Sequence, residues 1–200
     1  MGGKMNYAQF GNSRIKKIIF LSTLFILLGA HMNLQAQNDD KKILIAYFSC
    51  TGNTRTVAEY IHQAVGGDIF EIRPVRVYPE EYRPTTVIAR EELDTNARPG
   101  IIENVSNMAQ YDIIFLGYPN WWNTMPMFFF TFLESHDLSG KTIIPFCTHG
   151  GSGLGRSVTD IRNLAPNTTI RDGLAISGRN AVNSRNEVTA WLRRIGIAKQ

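Results

Sequence analysis

The sequence is short of cysteine and histidine. Cys50 and Cys147 are its two cysteines, too few for an iron–sulfur cluster with four Cys ligands or for a disulfide-dense scaffold. None of its four histidines forms a pair at ligand spacing, which leaves little for a zinc site. Charged residues make up 19% and hydrophobic ones 44%, so a packed core is expected and wholesale disorder is not. Acidic residues are missing altogether from 1–36, where Lys4, Arg14, Lys16 and Lys17 stand. Taking those four from the 21 basic residues leaves 17 against 17 acidic ones. The net charge of +4 therefore belongs to the leader, and it gives no argument for nucleic acid as a partner. The length of 200 residues suits one domain with a short extension.

That extension has the layout of an export signal. Arg14, Lys16 and Lys17 form a positive segment, Ile18 to Ala30 is almost continuously apolar, and Leu34-Gln35-Ala36-Gln37 offers a small-residue cleavage site. The apolar run is shorter than the roughly 20 residues of a spanning helix. Residues 1–36 are read as a leader cleaved near Ala36, and 37–200 as the mature domain, exported to the periplasm, where thiols meet an oxidising compartment. The alternative is an uncleaved anchor, with membrane contact through the leader alone. The residues after Gly2 do not fit a myristoylation motif, because Asn6 stands at its last position.

Beyond the leader, strands and helices alternate. Ile43 to Phe48 is a short continuous apolar run, as in a strand buried on both faces. A helix follows, with Val57, Ala58, Ile61 and Val65 on one face and Gly66-Gly67 as its stop. Asp68 to Ile72 alternates like a strand. Prolines break up 74–110, where Thr85 to Asn96 is expected as a helix with Val87, Ile88 and Leu93 on its apolar side. Tyr111 to Gly117 and Lys141 to Cys147 are the next buried strands. Between them Pro126 suits a helix first turn, and Met127 to Ser135 is apolar nearly all round, so deep packing is expected. A further helix turns Val158, Ile161 and Leu164 inward, and Thr168 to Ile176 holds the last strand. Ser184-x-x-Glu187 has the pattern of a capping box, ahead of a final helix with Val188, Trp191, Leu192 and Ile195 inward. The alternation predicts an α/β fold, a doubly wound parallel sheet with helices on both faces.

In such a sheet ligands bind beyond the carboxyl ends of the strands. Three loops there have unusual composition. Ser49-Cys50-Thr51-Gly52-Asn53-Thr54 offers hydroxyls, a glycine for a tight turn, and backbone N–H groups opening into a helix, which suits a phosphate. It is neither a Walker A loop nor a G-x-G-x-x-G fingerprint. Pro119-Asn120-Trp121-Trp122-Asn123-Thr124 offers flat aromatic faces. Thr148-His149-Gly150-Gly151-Ser152-Gly153 exposes backbone amides able to bond a ring edge. Together they suit a phosphorylated, planar, heteroaromatic ligand, and FMN fits that description better than ATP. Cys147 and His149 do not make a hydrolase, since no orienting carboxylate accompanies them. Nor does Phe48-Ser49-Cys50 supply the acidic cluster of a phosphoryl-accepting receiver.

Ser-x-Thr-Gly-Asn-Thr after the first strand resembles the FMN-phosphate loop of flavodoxins. Gly117-Tyr-Pro-Asn-Trp-Trp122, Phe132-Leu-Glu134, Ser139-Gly-Lys141, Pro145-Phe-Cys-Thr148 and Gly150-Gly-Ser-Gly-Leu-Gly155 are similar to the short flavodoxin-like proteins of bacteria. The likeness runs from Lys41 to the C-terminus. It implies five strands in the order 2-1-3-4-5 and one non-covalent FMN. Ser49, Cys50, Thr51, Gly52, Asn53 and Thr54 would hold the phosphate. Pro119, Asn120, Trp121, Trp122, Asn123 and Thr124 would border the ring on one side, and Thr148, His149, Gly150, Gly151 and Gly153 on the other. Either Trp121 or Trp122 would be the stacking face, with Trp122 the first choice. No side chain is expected to act as acid, base or nucleophile.

The resemblance implies electron transfer with a redox protein partner or a small-molecule donor or acceptor. Many carrier flavodoxins are strongly acidic, which this mature chain is not. An FMN-dependent NAD(P)H or quinone reductase is the first alternative, with 78–98 as a lid bearing Tyr82, Arg83 and Arg90. A flavin-free binding module on the same fold is the second. In the implied order strand three separates strands one and four. Two strand spacings of roughly 9–10 Å exceed a disulfide's reach, so Cys50 and Cys147 are expected as free thiols.

Overall fold

A computed structural model describes residues 41–197. The leader and its cleavage site lie outside the described residues. Among the described residues no helix is long and apolar enough to cross a membrane.

The continuous apolar runs form the central strands. β1 (Ile43–Tyr47), β3 (Ile113–Pro119) and β4 (Thr142–His149) are buried nearly throughout. β2 (Asp68–Glu71) is a more exposed edge. All pair in parallel, in the order β2-β1-β3-β4. The fifth position is filled by two short strands, β5 (Thr169–Ile170) and β6 (Leu174–Ser177), both parallel to β4. The order 2-1-3-4-5 thus holds, but the last strand expected over 168–176 is split. Ile143 pairs with Ile170 and Phe146 with Leu174, so the edge chain takes one residue more than β4 across the gap. Pro145 lies in that gap and has no N–H to give a ladder. The extra residue makes a bulge, and the freed carbonyl of Asp172 accepts from the Trp191 indole N–H at 2.9 Å.

Helices cover both faces. α1 (Asn53–Val65) and α5 (Arg185–Arg194) pack on one face, where Val57, Ala58, Ile61, Val188, Trp191 and Leu192 meet Ile45, Phe115 and Ile144. α2 (Tyr82–Asp94), α3 (Phe128–Glu134) and α4 (Ser157–Leu164) lie on the chain after β2, β3 and β4. The other core is richer in aromatics: Tyr118, Phe128, Phe129 and Phe132 are fully buried in it.

Two local expectations need correction. α2 begins at Tyr82 rather than Thr85, and Val87 is 68% exposed. Its inward face is Thr85, Ala89 and Glu92. Polar partners turn it so. Thr85 Oγ1 donates to the Pro79 carbonyl, and the buried Glu92 carboxylate accepts from Tyr78 Oη at 2.8 Å and from Arg76 at 3.1 Å. The Ser184–Glu187 capping box does not form. Ser184 Oγ donates back to the Ala181 carbonyl at 2.7 Å, and no side chain caps α5.

Candidate functional site

The carboxyl ends of β1, β3, β4 and β6 open onto one cavity of about 340 Å³, within the size range of small-molecule sites. Cys50, Thr51 and Asn53 line it from the first loop, Pro119, Asn120 and Trp121 from the second, and Thr148, His149 and Gly150 from the third. The three loops singled out in the sequence are therefore brought together.

The first loop leaves β1 and becomes α1 through Gly52, whose φ of 87° is left-handed and favours glycine. No side chain caps α1. Its first N–H groups have no partner within the helix, and the helix dipole adds positive potential there. Ser49 Oγ is buried without a hydrogen-bond partner. Leaving such a group unpaired costs about 1–3 kcal/mol, but Ser49 sits under the loop and, like Gly52, does not line the cavity. Thr54 does not line the cavity. It is 1% exposed and shares a 2.8 Å hydrogen bond with Thr148 Oγ1, tying α1 to the end of β4. Asn53 Nδ2 donates to Thr51 Oγ1 at 3.3 Å.

The second loop is a tight turn. Trp121 and Thr124 exchange backbone hydrogen bonds at 2.8 and 3.2 Å. The two residues between them, Trp122 and Asn123, have φ of 52° and 66°. Both central residues left-handed is the signature of a type I′ turn, a conformation that usually calls for Asn-Gly. The turn sends the two indoles in different directions. Trp121 lines the cavity, with Tyr78 at 5.0 Å and Phe48 at 5.9 Å between ring centroids. Trp122 does not. Its indole N–H donates to the Thr86 carbonyl at 2.9 Å, and the Arg90 guanidinium sits 5.2 Å over its ring. Of the two tryptophans named in the sequence, Trp121 is the one whose indole lines the cavity, and Trp122, the first choice there, does not.

Other groups hold the turn. Asn123 carbonyl accepts from the Arg156 N–H at 2.7 Å, and Thr124 Oγ1 donates to Asp160 at 2.5 Å. Neither Asn123 nor Thr124 lines the cavity. Gly155 is pressed against this loop, and a Cβ on it would come within 2.3 Å of the Asn123 carbonyl oxygen.

The third loop begins at the end of β4. His149 Nδ1 accepts from the Gly151 N–H at 2.9 Å, which closes the glycine turn. Gly153 accepts at its carbonyl from Asn120 Nδ2 at 2.8 Å and from the Cys147 thiol at 3.3 Å. Asn120 Oδ1 is buried and has no partner, a polar atom that a ligand would complete. Gly151 and Gly153, like Gly52, do not line the cavity; their positive φ sets the path of the loops.

Both cysteines are free thiols. Burial pushes the Cys147 thiol up to about 12. Burial and the Glu80 carboxylate raise Cys50 as well. Neither is poised as a nucleophile. Among the described residues no three His, Cys, Asp or Glu side chains gather as a metal site.

Seven lining residues were not expected as cofactor contacts. Glu80 lies just before α2 and Tyr82, Thr85 and Thr86 at its start, where the sequence suggested only a lid, while Ser177 ends β6 and Gly178 and Arg179 follow it. No motif marks the second group.

The model of the flavodoxin family matches residues 42–195. Two solved structures described as flavoproteins are similar, one from Bacteroides eggerthii and one from Bacteroides uniformis. The first is 35% identical, covers 79% of this chain and 99% of its own, and has a TM-score of 0.67. The second is 32% identical over 76% and 98%, with a TM-score of 0.69. A flavoprotein of Lactobacillus acidophilus, solved in complex with FMN, is 23% identical over 72% and 97%, with a TM-score of 0.59, a likeness of fold. No curated protein matches the chain. The strand order, the three loops at one end of the sheet and the match over 42–195 lead to one conclusion: the chain belongs to the flavodoxin family.

Proposed function

We propose that this protein binds FMN non-covalently in the cavity at the strand ends and transfers electrons through it. The observation that carries the reading is a pairing within one cavity. Thr51, Asn53 and the uncapped N-terminus of α1 stand at one end, and the Trp121 ring with the unpartnered Asn120 Oδ1 at another. The first set suits a phosphate, the second a polar aromatic ring. The FMN complex of the Lactobacillus acidophilus flavoprotein is in keeping with this ligand. Bound FMN supplies the redox chemistry, and the protein supplies binding, orientation and exclusion of water.

Each role falls to named residues. Thr51, Asn53 and the first N–H groups of α1 hold the phosphate. Trp121, fixed by Tyr78 and Phe48, covers the ring. Asn120 Oδ1 and the amides near Gly150 bond its polar edge. Thr54, Thr148, Gly151 and Gly153 set the loops in place. A redox protein or a small electron donor or acceptor is the partner. A leader over 1–36 would carry the domain out of the cytoplasm.

The test uses the full chain. Its visible spectrum is recorded before and after FMN is added, then again after desalting. A two-band flavin spectrum that stays with the protein is expected. A colourless protein with intact circular dichroism would overturn the reading and favour a flavin-free binding module. The walls supplied by Tyr82, Thr85 and Thr86 favour a second reading, an FMN-dependent NAD(P)H or quinone reductase with its substrate against α2. Steady-state NAD(P)H oxidation by the flavin-loaded protein distinguishes it from a carrier.

A further inference from the structure

The loop assigned to the phosphate contains no basic side chain at 49–54. The first cation along α1, Arg55, is engaged with Glu71 at 2.6 Å. A phosphate group of about −1.5 to −2 charge would then meet only hydroxyls and amides from its own loop. Arg179 reaches the same cavity from the other end of the chain. Among the described residues its side chain has no ion pair or hydrogen bond, unlike Arg55, Arg73, Arg76, Arg90, Arg98 and Arg156.

Its placement beside the phosphate loop is built into the fold. A Cβ on Gly178 would come within 3.1 Å of Asn53 Nδ2, so the chain leaving β6 runs close against the first residue of α1. The 3-10 helix that follows, Gly178–Asn183, is pinned to α1 further along. Tyr60 Oη donates to the Val182 carbonyl at 2.7 Å, Ala181 is fully buried, and Arg185 lies 4.3 Å over the Tyr60 ring. The backbone under Arg179 is thus fixed while its guanidinium is uncommitted. Glu80 is the acidic residue of the lining, on the Cys50 side of the loop.

We infer that Arg179 is the residue that makes this site select a phosphorylated flavin over an unphosphorylated one, with Glu80 opposing it. The inference rests on the FMN reading above. Arg179 acts as a partly solvated cation beside the phosphate, so its effect is electrostatic and weakens with salt.

The experiment measures dissociation constants of FMN and riboflavin for the full chain, by quenching of flavin fluorescence, at low and high NaCl. For Arg179→Gln, FMN affinity falls about threefold to fivefold at low salt and riboflavin affinity is unchanged. The salt dependence of FMN binding flattens in the same variant. Arg179→Lys keeps most of the preference, and Glu80→Gln tightens FMN but not riboflavin. If Arg179→Gln leaves FMN binding unchanged, or weakens both ligands equally, the assignment of Arg179 is wrong while the cofactor reading stands. A wild-type chain that binds neither flavin overturns both.

Discussion

At the first loop the fold leaves groups open: Ser49 Oγ has no partner and α1 has no cap. At the second loop the fold closes the chain on itself, with Trp121 and Thr124 bonded across two left-handed residues and both flanks tied down. One side is unfinished and unstrained, since Gly52 takes its positive φ freely. The other is strained and finished, since Trp122 and Asn123 are held where L side chains rarely sit. A ligand can complete the first side. It can only lean on the second, which must already be rigid to present a flat ring. Preorganisation of that kind lowers the cost of binding.

The largest effect that would break this contrast is at Gly155. An alanine there has a positive φ of 56° and sets its Cβ against the Asn123 carbonyl. Gly155→Ala should destabilise the protein by about 3 kcal/mol or more, read by urea unfolding. A loss below about 1 kcal/mol would mean that the second loop is not held from behind. Next in size is the difference between the two indoles. Trp121→Ala should weaken FMN binding roughly 30-fold, about 2 kcal/mol. Trp122→Gly, which keeps the turn, should change FMN affinity less than about threefold and lower stability by about 1 kcal/mol. Fluorescence titration and thermal melts separate the two, and the reverse ranking would return the stacking role to Trp122.

The smallest effect concerns pH. Glu92 lies behind the aromatic cluster, facing Tyr78, Arg76 and Glu91, and burial raises its carboxyl above the usual range despite the hydrogen bonds from Tyr78 and Arg76. A raised value means that the folded state holds the proton more tightly than the unfolded one. Stability therefore declines as pH rises from the ordinary carboxylate range through the raised value. Glu92→Gln should flatten that slope in a series of melts. A slope as steep as the wild type's would assign it to another group.

Much of the frame was legible because its signals are local. Three apolar runs bounded by turn residues gave β1, β3 and β4, and Gly66-Gly67 marked the end of α1 where the structure has it. The approach of the three loops to one another followed from the parallel topology. What stayed hidden depended on partners distant in sequence. Val87 looked like a core residue until Tyr78 and Arg76 drew Glu92 inward. Trp121 and Trp122 are indistinguishable in composition. A turn built on Trp-Asn, not Asn-Gly, gave no sign of which would face the cavity. Arg179 was invisible as a site residue because its position depends on a slipped register against another strand.

That slip has a second outcome, for the company the molecule keeps. An outer strand is a template for unwanted partners when it offers a long, even row of N–H and C=O groups. Here the row is two residues, a bulge opposite Pro145, then four. A neighbouring chain laid along it would lose register before it gained a ladder. The proline that splits the strand therefore also guards the margin of the sheet against stacking into aggregates.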